Sequence, residues 1–70
     1  MFKVIEYSEL RFNARPVETV LGTAPTVEEA KKLVRGPILF LEEDERNPNH
    51  FDGVVQISQS RIKIFTIVPA

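Results

Sequence analysis

The sequence predicts a small α+β domain in which one helix packs on a mostly antiparallel sheet. Three observations lead to this fold class. Short apolar stretches alternate with polar turns along most of the chain, one amphipathic segment near the middle has a capping signature, and a Gly-Pro pair follows that segment. The predicted order is β-β-α-β-β-β, and a length of 70 residues allows a single domain, residues 1–70.

Two strands are predicted before the helix, at Phe2–Tyr7 and at 17–22. In the first, apolar and polar residues alternate, as they do in a strand with one buried face. The segment between them, 8–16, is mixed and polar, and we expect a turn at its end, over 13–16. Leu10 and Phe12 could extend the first strand into this segment.

The helix is predicted over residues 27–35. Thr26 is the expected N-cap, and Glu29 follows three residues later, as in a capping box. Gly36 and Pro37 end the segment, because glycine adopts the left-handed conformation at a helix end and proline cannot continue a helix. One helical face would carry the apolar residues Val27, Ala30, Leu33 and Val34.

Three strands are predicted after the helix. The continuous apolar run 38–41 is too short for a second helix, and we expect it to be a strand buried on both faces. A long polar loop is expected over 42–53. Strands at 54–58 and 61–68 would then form a hairpin with its turn at 59–60.

The composition excludes several kinds of chemistry. The chain has no cysteine, so it has no disulfide, thiolate metal site or thiol nucleophile. Nine basic and ten acidic residues give a formal net charge of −1. Since phosphate neutralisation supplies most of the affinity of compact nucleic-acid binders, this balance disfavours nucleic acid as a partner.

No apolar run approaches the roughly 20 residues needed to span a bilayer. The N-terminal segment carries charges within its apolar stretch and lacks a small-residue cleavage site, so we expect no signal peptide, no membrane partner and a cytoplasmic location. A starting methionine and the absence of a tag suggest a complete small protein.

The predicted strands carry more apolar residues than one short helix can cover. Several strands have them on both faces, so the second face needs its own cover. Either the sheet curves over that face, or a second copy of the chain packs on it in a two-fold dimer. We assign the face to Ile5, Tyr7, Phe65 and Ile67, and we expect a homodimer or contact with another protein.

A first alternative is a nucleic-acid-binding accessory module. Basic residues on a strand and a neighbouring helix could contact phosphates, although in this chain they alternate with bulky apolar residues. The residues concerned are Lys31, Lys32, Arg35, Arg61 and Lys63.

A second alternative is a divalent-ion binder or an enzyme in the 42–53 loop. The acidic run 42–45 supplies oxygen ligands, but the spacing from Asp44 does not match an EF-hand. We favour a solvated charged loop that discourages edge pairing. The residues of this alternative are Glu43, Asp44, His50 and Asp52.

The motifs of common enzymes are missing from the sequence. It has one histidine, no Gly-x-Ser-x-Gly pattern and no glycine-rich phosphate loop. We therefore expect no catalytic residues, no cofactor and no metal. The sequence predicts a small non-enzymatic module that acts through protein–protein contact.

Overall fold

The computed structural model describes residues 1–8 and 15–70. Within them it contains five strands and one short helix in the order β-β-α-β-β-β, so the predicted α+β class is confirmed. The elements are β1 (Phe2–Tyr7), β2 (Glu18–Ala24), α1 (Val27–Lys31), β3 (Ile38–Glu43), β4 (Phe51–Ser58) and β5 (Arg61–Pro69).

All five strands belong to one sheet with the order β2-β1-β5-β4-β3, and each pair of neighbours is antiparallel. The central strand, β5, is also the longest, with nine residues. It pairs with β1 on one side and with β4 on the other, so the first and last strands of the chain are neighbours. The described residues include no helix with the length and hydrophobicity that crossing a membrane requires.

The hydrophobic core lies between α1 and one face of the sheet. Gly53 allows a close contact in the core, because a Cβ at that position would lie 2.3 Å from Cζ of Phe65. The ring of Phe65 therefore packs directly across the backbone of β4. The buried apolar residues are Val4, Ala24, Ala30, Val34, Val55, Phe65 and Ile67.

The helix prediction is confirmed at its start and wrong at its end. Thr26 has extended backbone angles (φ −130°, ψ 161°), and its hydroxyl accepts a hydrogen bond of 3.2 Å from the Glu29 N–H, as an N-cap does. However, α1 ends at Lys31 instead of 35. The N–H groups of 32–34 bond to the carbonyls three residues earlier, which tightens the chain into turns before Gly36 (φ 136°).

The prediction that 38–41 is buried on both faces is wrong. Leu39 is 56% exposed and Phe40 is 51% exposed. The reason is topological, because β3 lies at the edge of the sheet with β4 as its neighbour, and a bulge interrupts the pairing between Ile38 and Phe40. A continuous apolar run looks the same in sequence whether its strand is central or at an edge.

The polar loop after β3 is shorter than the predicted 42–53. Glu42 and Glu43 continue β3 and pair with β4, which begins at Phe51, so the loop covers 44–50. Glu42 and Glu43 are consecutive charged residues on an edge strand and are followed by more acidic residues, so in sequence they resemble the start of a loop.

The remaining strand limits differ by a few residues. β2 continues through Gly22, which pairs with Val4 next to a bulge, so glycine does not end this strand. The tight turn at 59–60 between β4 and β5 is confirmed. Before β2, the Ser8 N–H donates to the Val17 carbonyl (2.9 Å). The expectations for Leu10, Phe12 and the first half of the 13–16 turn lie outside the described residues.

Candidate protein-interaction face

The two faces of the sheet are built from alternate residues of the same strands. On β5, Phe65 and Ile67 point to the side that α1 covers, and the residues between them point to the other side. We call this other side the open face. Its apolar residues are Ile5, Tyr7, Val20, Phe40, Val54, Ile62, Ile64 and Val68, and its charged residues are Lys3, Glu18, Glu42 and Asp52.

The open face is apolar at its centre and largely in contact with solvent. Val20, Phe40, Ile62 and Ile64 are all exposed. Phe40 pairs with Val54, which pairs with Ile64, so an apolar row runs across three adjacent strands. Cross-strand neighbours of this kind form a continuous patch rather than scattered surface residues.

A shallow recess of about 260 Å³ lies at one side of this patch. Tyr7, Pro16, Ile64 and Thr66 line it together with Ser8. The Tyr7 hydroxyl is 3.3 Å from the Thr66 hydroxyl, and this hydrogen bond orients the ring at the edge of the recess. The recess is a shallow depression in the open face that can accommodate an apolar side chain.

The charges of the open face are separated by sign. Lys3 lies on β1, where it pairs with Val68 of β5. Glu42 and Asp52 lie on the other side of β5 and are directly opposite each other on β3 and β4. Like charges in direct cross-strand register repel. Among the described residues, no cationic side chain forms a salt bridge with either carboxylate.

Two of the four residues that we assigned to the uncovered face lie on the open face, namely Ile5 and Tyr7. The placement of Phe65 and Ile67 with them is corrected, because both are 0% exposed and belong to the core under α1. The register explains the difference, since Phe65 pairs with Glu6 and Ile67 pairs with Val4. The other register of β5, with Ile62 and Ile64, faces outward, so sequence reasoning missed these two residues.

The basic residues proposed for nucleic acid do not form one free cationic patch. The Arg35 guanidinium and the Lys63 ammonium both bind Oε1 of Glu6, at 2.6 Å and 3.2 Å. Glu6 is 3% exposed and lies on the helix-covered side. Arg35 and Lys63 are therefore committed to a buried carboxylate, although Arg35 is itself largely exposed. Lys32 and Arg61 are also exposed, and Lys31 is half-buried.

The pKa of Glu6 reflects competing effects. Burial of the carboxyl group opposes its ionisation, but hydrogen bonds from Arg35 and Lys63, together with their positive charges, outweigh burial and hold the pKa below its ordinary value. No described residue donates a hydrogen bond to Oε2, the second oxygen. The ionised Glu6 carboxylate thus links β1 to Lys63 of β5 and to Arg35, which follows α1.

The carboxylates around the 44–50 loop stabilise the loop itself. Asp44 accepts a hydrogen bond of 2.8 Å from the Arg46 N–H and one of 3.3 Å from the Asn47 amide. The Arg46 N–H is the main cause of a lowered Asp44 pKa. Glu43 accepts from the N–H of Asn49, which has a left-handed backbone (φ 67°).

The same region contains an open cavity of about 320 Å³ lined mostly by acidic residues. However, within the described part of the chain no three residues of metal-binding type are grouped so that they could hold an ion. The structure thus does not bring Glu43, Asp44, His50 and Asp52 together as a metal site.

Comparison of the chain with protein-family models, with curated proteins and with solved structures found no match. The functional interpretation therefore depends on the residues themselves. The feature that the core and the loop contacts leave unexplained is the open face, which combines exposed apolar residues, a recess and separated charges.

Proposed function

We propose that this chain is a small non-enzymatic assembly module that forms a homodimer through the open face. The observation that carries the proposal is the apolar row across β3, β4 and β5, in which Ile64, on the central strand of the sheet, is 51% exposed. Among the described residues, Phe40 and Ile64 of this row stay exposed, and we assign their cover to a second copy.

The size of the open face supports a protein partner. Five strands at a spacing of about 4.8 Å, with about six residues of each, make a surface about 24 Å wide and about 20 Å long. The whole face thus has a flat area on the order of 500 Å², of which the apolar row is one part, and exposed apolar patches of a few hundred Å² commonly mark interaction sites. With side-chain relief included, it approaches the accessible area of about 800 Å² that each partner buries in a specific interface.

A second copy fits this face better than an unrelated partner. Two sheets pack face to face through interdigitating apolar side chains, and two copies of this chain would form such a pair with each α1 on the outside. The face also carries both signs of charge, so its charged residues can pair with those of an identical face in a two-fold dimer. A core this thin gains from the added layer, because small domains bury a modest part of their surface.

Light scattering behind size exclusion tests the proposal at several protein concentrations. We expect a mass near twice 8.0 kDa for the wild-type chain. Ile64→Asp should give a folded monomer, because a charge in the centre of the interface loses its hydration on dimerisation. Val17→Asp is the matched control, because Val17 is exposed and directly precedes Glu18 of the open face, so alternation turns its side chain to the other side.

Circular dichroism and thermal unfolding establish that each variant is folded. A wild-type chain that stays monomeric at every concentration would reject the proposal. A folded Ile64→Asp variant that keeps the dimeric mass would show instead that the copies meet elsewhere, for example along the edge of β3.

A further inference from the structure

We propose that the two copies meet about a two-fold axis that runs along β5, so that Lys3 of each copy faces Glu42 and Asp52 of the other. This inference rests on the proposed function and adds the orientation of the partner. It derives from the strand order and from the placement of charge on the open face.

The strand order puts the opposite charges on opposite sides of the central strand. Lys3 is on β1, one strand from β5, and Asp52 is on β4, one strand from β5 in the other direction. Their partners on β5 are Val68 and Thr66, which are two residues apart. The lysine and the carboxylates therefore lie at the same end of the sheet, on the two sides of β5.

A two-fold rotation about an axis parallel to β5 exchanges the β1 side of the sheet with the β4 side. Each residue stays at the same end of its strand. The rotation places β1 of one copy over β4 of the other, and Lys3 then lies above Asp52 and Glu42. A two-fold axis across the strands would instead place β1 over β1 and exchange the ends, so that Lys3 would face the end of the strand with Tyr7. The second orientation would offer Lys3 only Glu18, the cross-strand partner of Tyr7, whereas the axis along β5 offers it the adjacent carboxylates Glu42 and Asp52.

The acidic pair is exposed in one copy, and Arg46 is the cationic residue that lines the same cavity. Glu42 and Asp52 are directly opposite each other, and the described part of the chain supplies neither with a salt bridge. Packed sheets lie about 10 Å apart, a distance that side chains from both sides span, so a lysine from the second sheet can reach these carboxylates. The remaining charge, Glu18, lies on the edge strand β2 at the other end of β1 and stays at the solvated margin.

Such charge pairs fix the orientation of a complex more than they strengthen it. The apolar row supplies the affinity and is compatible with several ways of packing. The two symmetric clusters of Lys3, Glu42 and Asp52 favour one of them, because it sets each lysine against two adjacent carboxylates.

A charge-swap experiment tests the orientation. Lys3→Glu alone should weaken self-association by about tenfold or more, because three carboxylates then meet in each cluster. The double variant Glu42→Lys with Asp52→Lys should be weakened similarly, because three ammonium groups meet. An equimolar mixture of the two variants should form a heterodimer with wild-type affinity, since both of its clusters combine opposite charges.

The matched control is Lys32→Glu, which has the same formal net charge as Lys3→Glu but lies on the exposed surface of the helix side. It should dimerise like the wild type by itself, and mixing it with the double variant should not produce a comparable heterodimer. This control separates a specific cluster from general attraction between oppositely charged proteins.

The outcomes distinguish the two proposals. Recovery of the heterodimer in the charge-swapped mixture supports the axis along β5. If the wild type is a dimer but the mixture shows no recovery, the orientation is wrong and self-association stands. If the wild type is a monomer, the proposed function fails, and the orientation fails with it.

Discussion

Ile64 and Phe65 are adjacent residues of similar hydrophobic character on the central strand, yet Phe65 is fully buried and Ile64 is 51% exposed. Phe65 lies on the side that α1 covers, where its ring crosses Gly53. Ile64 lies on the open face, beside Val54. The two sides of the sheet thus differ in what packs on them more than in the residues that the strands supply.

The apolar residues of the two faces therefore have different roles, one in the stability of the fold and the other in association. The covered face stabilises the chain by burial at about 25 cal/mol per Å². The open face contributes little of that stabilisation while one copy is alone, and it contributes to association when it is covered. Substitutions on the two faces should therefore affect different measurements.

The largest effect is expected from Phe65→Ala compared with Ile64→Ala. Phe65→Ala should lower the free energy of unfolding by about 3–5 kcal/mol, because it leaves a cavity in the core. A chain of this length has a total stability of about 4–10 kcal/mol, so this variant should be partly unfolded. Ile64→Ala should cost under about 1 kcal/mol in the monomer. Urea unfolding at low protein concentration measures both.

The dependence on concentration sharpens this comparison. The effect of Ile64→Ala on the melting temperature should grow as protein concentration rises, because association stabilises the wild-type fold by mass action. The effect of Phe65→Ala should change little. If both variants lowered the melting temperature by the same amount at every protein concentration, the distinction between the faces would be wrong.

A smaller effect is expected when the carboxylate of Glu6 is removed. Glu6→Gln should lower the free energy of unfolding by about 1–2 kcal/mol at neutral pH, because charge-assisted hydrogen bonds from Arg35 and Lys63 are lost. We expect less than the 3–5 kcal/mol typical of a fully buried pair, since both cations are partly exposed and regain hydration.

The pH dependence identifies the cause of this loss. The pKa of Glu6 is lower in the folded chain than its ordinary value of 4.5, so protonation favours unfolding. Its stabilising contribution is present above about 4.5 and is lost as the pH falls through the folded-state pKa. Glu6→Gln should flatten the acid side of the stability curve. Asp44→Asn is the control, because it removes another lowered pKa in the exposed loop and leaves the Glu6 contribution intact.

The local elements of the fold could be predicted because they depend on short-range chemistry. Thr26 caps the helix through its own hydroxyl, and the turn at 59–60 joins strands that are adjacent in sequence. The position of β3 at the edge of the sheet depends on strand order, which no local pattern specifies. The exposure of Phe40 could therefore not be read from the run 38–41.

The sequence indicated that one face of the sheet would stay uncovered, but only two of the four residues assigned to that face, Ile5 and Tyr7, lie on it. Alternation on β5 identifies two registers, one with Ile64 and one with Phe65, but the pairing of β1 with β5 decides which register α1 covers. The pairing that places Phe65 opposite Glu6 involves residues 59 positions apart in the chain. The role of Glu6 was missed for the same reason, because its two cations come from distant elements.

The smallest effect is expected at the N-cap of α1, the one helix among the described residues. Thr26→Ala should lower the free energy of unfolding by about 1 kcal/mol, because the Glu29 N–H loses its acceptor and must be hydrated instead. Thr26→Ser should retain most of the stability, since it keeps the hydroxyl. Both values can be measured by urea unfolding.

The same variant also tests which side of the sheet associates. Because α1 packs on the side away from the open face, Thr26→Ala should leave the solution mass of the folded chain unchanged even though its stability falls. A folded Thr26→Ala variant that no longer dimerised would indicate that the copies meet through the helix side. The two faces would then have the opposite roles to those proposed, with α1 at the interface and the apolar row around Ile64 left in solvent.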